Sequence, residues 1–235
     1  KGSAAGVTGT PQFFVNGLSV TGAQPYENFK AAVEAALNPG KAPQPAAAPS
    51  APSPAPAPTM VKFDAKDFVG RPSDGPQSAP VTLQEFSDFH CPFCKKVEPA
   101  IEQIMKNYQG KVRRIWRHFP LPMHPGADRT HEASECANEQ GKFWQYHAKI
   151  FETQGSARDD NALMALAPQA GLDQSKFQAC LTSGKYKDIV HQEMTKGSAA
   201  GVQGTPTFFV NGEMLPGAYP YERFDQAVQA ALKKS

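Results

Sequence analysis

Cys91 and Cys94 are the residues of this chain best equipped for covalent chemistry; only Pro92 and Phe93 separate them in FSDFHCPFCKK, residues 86–96. A thiol pair at that spacing can hold a metal, staple the chain or exchange disulfides. A structural zinc site takes four ligands, commonly from two such pairs. Here there is a single C-x-x-C, and His90 and His118 do not stand at zinc-finger spacing. Covalent haem attachment needs a histidine directly after the second cysteine, where Lys95 stands. A purely structural disulfide across so small a loop would restrain little unfolded-state entropy. Two thiolates with His90 could bind a soft ion such as Cu(I), which would make a binding module without turnover. Thiol–disulfide exchange uses the pair more fully. The thiolate is the attacking species, and the first turn of a helix, with free N–H groups and the positive end of its dipole, favours that anion. Cys91 would be the exposed nucleophile. Cys94, one turn deeper, would attack the mixed disulfide and release the substrate. Pro92 suits the first helical turn because it has no N–H to leave unsatisfied.

The flanking segments must place this pair. PVTLQEFSD (80–88) reads as a strand with Val81, Leu83 and Glu85 on one face. A helix over about 91–107 follows, opened by the cysteines. A second strand, KVRRIWRHF (111–119), leads into a predominantly helical stretch, about 127–200. Its clearest helix is ADRTHEASECANEQGKFWQYHAKIFETQ, within which Gly141 weakens the pattern. The strand PTFFV (206–210), the hairpin turn Asn211-Gly212 and the helix YERFDQAVQAALKK close the chain. Parallel pairing before the insertion and antiparallel pairing after it imply an α/β fold, a mixed sheet covered by helices. Phe143, Trp144, Tyr146 and Phe151 read as core, and the charges of 184–196 as a solvated helix face. His118, His124, His131, His147 and His191 have no metal-ligand spacing and remain unassigned.

Hydrophobic residues make up 40% of the 235, enough for a core, and a net charge of +2 calls for neither nucleic acid nor an anionic membrane. No apolar run approaches the roughly 18 residues of a membrane span. The absence of a signal-peptide pattern carries no weight, because residue 1 does not resemble a natural start. Residues 1–38 return, about two thirds identical, at 196–233. Between the copies, residues 39–59 are rich in Pro, Ala and Ser and nearly uncharged. Such a segment reads as an extended linker able to span roughly 60 Å. The complete domain is then 60–235. Residues 1–38 are the C-terminal segment of a first domain, without a cysteine and too small to bury a core of their own. Two arrangements are expected of that segment: a fragment of a tandem two-domain protein, or a homodimer in which 1–38 replaces 196–233 of a neighbouring molecule.

The segment QEFSDFHCPFCKKVEP resembles the active-site region of DsbA-like thiol:disulfide oxidoreductases, and RHFPLPMHPGA, ECANEQGKFWQYHAKIF, FQACLTSGKY and GVQGTPTFFVNG follow in the family's order. The resemblance covers nearly all of 60–235. It implies a thioredoxin-like mixed sheet with an inserted helical subdomain, no cofactor and no metal. It implies that Thr205-Pro206 is a cis-proline loop lying against the cysteines; the residues alone say only that a proline opens a strand. It implies that Glu85 is a buried acid handling protons for the second thiol, where the residues alone allow an exposed strand glutamate. In the best-known members a histidine lies between the cysteines; here Phe93 takes that place, and His90, bordering the motif, is the candidate modulator. The family often carries a structural disulfide where Cys136 and Cys180 stand, and two buried free thiols are the alternative. Reduced or misfolded protein substrates, a redox protein that recycles the pair, and a periplasmic or other extracytoplasmic location follow from the same resemblance. Oxidation of substrate thiols is the leading expectation, with isomerisation or reduction beside it.

Overall fold

The computed structural model describes residues 12–16, 18–21, 26–37, 60–153 and 155–234. The chain divides into two compact units, Lys1–Pro56 and Ala57–Ser235. Thr10-Pro11, the repeat counterpart of Thr205-Pro206, and the linker 39–59 lie outside the described residues.

In the first unit, β1 (Gln12–Val15) and β2 (Leu18–Thr21) form an antiparallel hairpin, followed by α1 (Tyr26–Leu37). Phe13 packs edge-on against Phe29, with ring centroids 4.9 Å apart. Phe13, Phe14, Val33 and Leu37 are nevertheless exposed, whereas of their repeat counterparts in the second unit Phe208, Phe209 and Val228 are fully buried and Leu232 is half-buried.

The second unit is built on a five-stranded sheet. Its strands are β3 (Ser73–Asp74), β4 (Val81–Ser87), β5 (Val112–His118), β6 (Thr207–Val210) and β7 (Glu213–Pro216), in the order β3-β5-β4-β6-β7. β4 and β5 run parallel, while β4–β6 and β6–β7 are antiparallel. The sequence reading missed β3, which adds an antiparallel edge ahead of the insertion. At two residues it is too short to show alternation. Central β4 is buried along both faces, so Glu85 is not an exposed strand glutamate. Asn211 and Gly212 both have positive φ, as a two-residue hairpin turn requires. The Asn211 side chain accepts from Thr82 N and donates to Pro80 O, which ties the turn to β4.

One sheet face packs on α2 (Pro92–Asn107) and α8 (Tyr221–Leu232) through Val81, Leu83, Val97, Ile101, Phe208, Phe224 and Val228. The helical insertion comprises α3 (Ala127–Glu139), α4 (Phe143–Glu152), α5 (Asp160–Leu166), α6 (Gln174–Ser183) and α7 (Lys187–Ala199). Gly141, at φ +67°, divides the expected long helix into α3 and α4. A left-handed turn there suits glycine because a side chain would be strained. Phe143, Tyr146 and Phe151 are buried in one cluster with Phe89, Trp116, Cys91 and Cys94, and Trp144 packs against it. Cys136 on α3 and Cys180 on α6 are joined as a disulfide. The charged face expected over 184–196 has one exception. Glu193 is buried and pairs with the fully buried Arg117, whose Nη1 also donates to Gln84 Oε1 at 2.8 Å. β5 carries Arg117 across the sheet to meet α7, a pairing no local pattern reveals.

Candidate active site

The chain turns at the end of β4, and Cys91 caps α2 with extended backbone (φ −76°, ψ 121°) before Pro92 begins the helix. Cys94 points inward on the buried stripe it shares with Val97, Ile101 and Ile104. Both thiols are free. The loop before β6 closes over them: the Thr205-Pro206 peptide is cis, and Cys91 Sγ donates to Thr205 O at 3.4 Å. The expectation of an exposed nucleophile needs correction, because only 3% of Cys91 is accessible. The proline loop and the neighbouring thiol cover it, leaving Pro92 and Phe93 as the open rim. Phe93 is 59% exposed.

The two thiols differ sharply in acidity. A hydrogen bond from the Cys94 thiol favours the Cys91 anion; burial opposes it; the Thr205 hydroxyl and the N–H groups of Cys94 and Phe93 favour it further. Cys91 is thereby lowered from about 9 to about 5. Burial, the hydrogen bond to Cys91 and the nearby Cys91 charge raise Cys94 well above the ordinary thiol range. At neutral pH the pair is one thiolate and one thiol, with the proton on the inner sulfur.

Behind α2 lies a buried charge group. Arg114 Nη2 donates to Glu85 Oε2 at 2.6 Å and to Glu98 Oε1 at 2.7 Å, and its guanidinium stacks on Trp144 with 4.6 Å to the ring centre. Glu85 Oε1 is buried with no hydrogen-bond partner among the described residues. Burial raises Glu98, attraction to Arg114 lowers it and repulsion from Glu85 raises it again, which leaves it at about 7. Glu98 stands four residues after Cys94, on the same side of α2. Sequence reasoning singled out Glu85 but not Glu98 or Arg114; the i, i+4 relation of Cys94 and Glu98 was the available signal. Glu98→Gln is expected to remove a titration near pH 7 from the pH dependence of exchange, with a change of about threefold or less at pH 8, where Glu98 is mostly ionised. Rate–pH profiles of the two proteins measure this.

His90 is held by Thr130 (Nε2 to Oγ1, 2.9 Å), and its Nδ1 makes no hydrogen bond among the described residues. Burial lowers its pKa, so it favours the neutral ring. It contacts neither thiol by hydrogen bond. The neighbouring Asp88 is the hub instead. Its Oδ1 accepts from His90 N at 2.8 Å, and its Oδ2 from Leu121 N at 2.8 Å and His124 Nδ1 at 2.6 Å. Burial opposes ionisation of Asp88, but the His131 ring, Leu121 N–H and His124 outweigh it and hold the carboxyl well below its usual range. Beyond it His131 meets His118 (Nδ1 to Nδ1, 2.8 Å), and His118 Nε2 meets Glu135 Oε1 at 2.7 Å. Three of the five unassigned histidines, His118, His124 and His131, thus line up across β5, the following loop and α3. Among the described residues no group of three or more His, Cys, Asp or Glu is placed to hold a metal ion.

The family model described as thioredoxin matches residues 69–230. A thioredoxin-like oxidoreductase from Silicibacter pomeroyi aligns with TM-score 0.65 and 25% identity over 73% of this chain and 99% of its own. Oxidised BdbD from Bacillus subtilis aligns with TM-score 0.65 over 75% of this chain and 98% of its own; at 24% identity that likeness speaks to the fold. Among curated sequences, the Na(+)/H(+) antiporter NhaA 3 of Salinispora tropica is 39% identical over 159 residues, which are 67% of this chain and 24% of the antiporter. The chain spans about a quarter of the length of the curated relatives it matches.

Proposed function

This chain belongs to the DsbA-like thiol:disulfide oxidoreductases of the thioredoxin fold, and from that premise we propose that Cys91 and Cys94 oxidise the thiols of protein substrates. The observation that carries this reading is the asymmetry of the pair, with an ionised outer sulfur and a protonated inner one. The hydrogen bonds that hold the Cys91 anion exist only in the reduced protein. They therefore favour reduction of the Cys91–Cys94 disulfide, which makes it an oxidant toward others.

In the oxidising direction a substrate thiolate attacks Cys91 of the disulfide, and Cys94 leaves with the electron pair. A second substrate thiolate then attacks the substrate sulfur of the mixed disulfide, and Cys91 leaves as the stabilised anion. The substrate loses two electrons and the protein gains them. Thr205 and Pro206 supply the backbone beside which a substrate polypeptide lies. Glu85, with Arg114 and Glu98, manages the proton of Cys94. Reduced proteins are the substrates, and a separate redox protein reoxidises the pair. The Cys136–Cys180 disulfide supports an extracytoplasmic setting, where such bonds persist. Residues 1–38 read as the end of a preceding domain of the same kind, joined by the linker 39–59, and their exposed Phe13, Phe14, Val33 and Leu37 support this reading.

The test is to compare oxidation of fully reduced ribonuclease with rescue of scrambled ribonuclease. Rapid oxidation with little rescue is expected. Efficient rescue with slow oxidation would make the protein an isomerase.

A further inference from the structure

Breaking or forming the Cys91–Cys94 bond puts negative charge on Cys94, whichever way the electrons flow. That sulfur is fully buried, and burial opposes its ionisation. A buried anion needs donors already aimed at it. Two are in place at the end of β4. Asp88 N–H donates to Cys94 Sγ at 3.5 Å. The Ser87 hydroxyl is fully buried, has no hydrogen-bond partner among the described residues, and stands where it favours the ionised form of Cys94. A hydroxyl without a partner in the protonated state is costly. It is explained if its acceptor appears only during turnover.

The turn that carries these donors is fixed on every side. Asp88 accepts from His90 N, Leu121 N and His124, and the Ser87 carbonyl accepts from Phe119 N at 3.0 Å. The surrounding charged or titratable groups are Cys91 and Cys94 on the thiol side, with His124 and His131 beside the Asp88 carboxylate.

We propose that the Ser87 hydroxyl and the Asp88 N–H form a two-donor cradle for the transient Cys94 thiolate, with the Asp88 carboxylate as the positioning group that fixes the turn carrying them. Ser87 is then a catalytic residue of the exchange proposed above, on which this inference rests. In the balanced step, RS⁻ attacks Cys91, the Cys91–Cys94 bond breaks, RS–S–Cys91 forms, and the cradle receives the electron pair as Cys94–S⁻. The reverse step closes the same bond and releases RS⁻. Because one transition state serves both directions, the cradle changes the rates of both and leaves their ratio alone.

Stopped-flow tryptophan fluorescence on the full chain tests this. Ser87→Ala is expected to slow cleavage of the Cys91–Cys94 disulfide by glutathione about tenfold, and to slow ring closure from the Cys91–glutathione mixed disulfide by the same factor. The equilibrium with glutathione and the ultraviolet titration of Cys91 near pH 5 are expected to stay at their parent values. Unchanged rates in both directions would overturn the proposal, as would a slowing in one direction matched by a shifted equilibrium. Exchange that survives in Cys91→Ala would instead refute the oxidoreductase reading itself, whatever Ser87→Ala does.

Discussion

Replacing Cys91 with alanine is expected to reduce oxidation of a dithiol peptide to the uncatalysed background, a loss of at least about a thousandfold. Cys94 cannot substitute for it, being fully buried, and burial by itself raises its pKa. The complementary variant Cys94→Ala keeps the nucleophile and is expected to accumulate mixed disulfides that mass spectrometry detects. The pH dependence follows from the same asymmetry. Cys91 is depressed in the folded protein, to about 5 from about 9. Its thiolate therefore stabilises the reduced form fully above about pH 9, and this contribution is lost as pH falls toward 5. At pH 7 the remaining advantage is about 3 kcal/mol, or roughly 60 mV of added oxidising power. Alkylation of reduced protein should be level above about pH 6 and fall below pH 5. A rate that still climbs tenfold per pH unit between 7 and 8 would mean that Cys91 is an ordinary thiol.

The chemistry of this site was legible because it is local: the C-x-x-C spacing, Pro92 at the helix start and the strand before it lie within a short stretch of chain. The covering of Cys91 was not legible, since Thr205 arrives from more than a hundred residues away. Gly141 announced the break between α3 and α4 through its backbone freedom, whereas β3, with two residues, has no periodicity to read. Glu85 and Arg114 lie on neighbouring parallel strands, and the pairing that joins them depends on register, which patterning alone does not fix. Ser87 and Asp88 looked like the polar end of a strand. Their significance appears only in the fold, where Asp88 binds the loop that follows β5 and its N–H meets the second sulfur.

The other cysteine pair is expected to behave oppositely, and the difference is one of topology. Cys136 and Cys180 are 44 residues apart. Closing a loop of that size removes unfolded-state entropy worth about 4 kcal/mol. A double Cys136→Ala, Cys180→Ala protein is therefore expected to lose about 4 kcal/mol of stability and about 8–16 °C of unfolding midpoint. Differential scanning calorimetry would register this, and a midpoint within 2 °C of the parent would show that the bond restrains nothing. Cys136 shares its core cluster with Phe89, Trp116, Cys91 and Cys94, so the staple steadies the packing behind the reactive sulfurs without touching their charge. In the folded variant the alkylation profile of Cys91 should remain as in the parent. One chain thus keeps a bond made to persist beside a bond made to break. Loop length with burial secures the first, and hydrogen bonds aimed at a sulfur anion loosen the second.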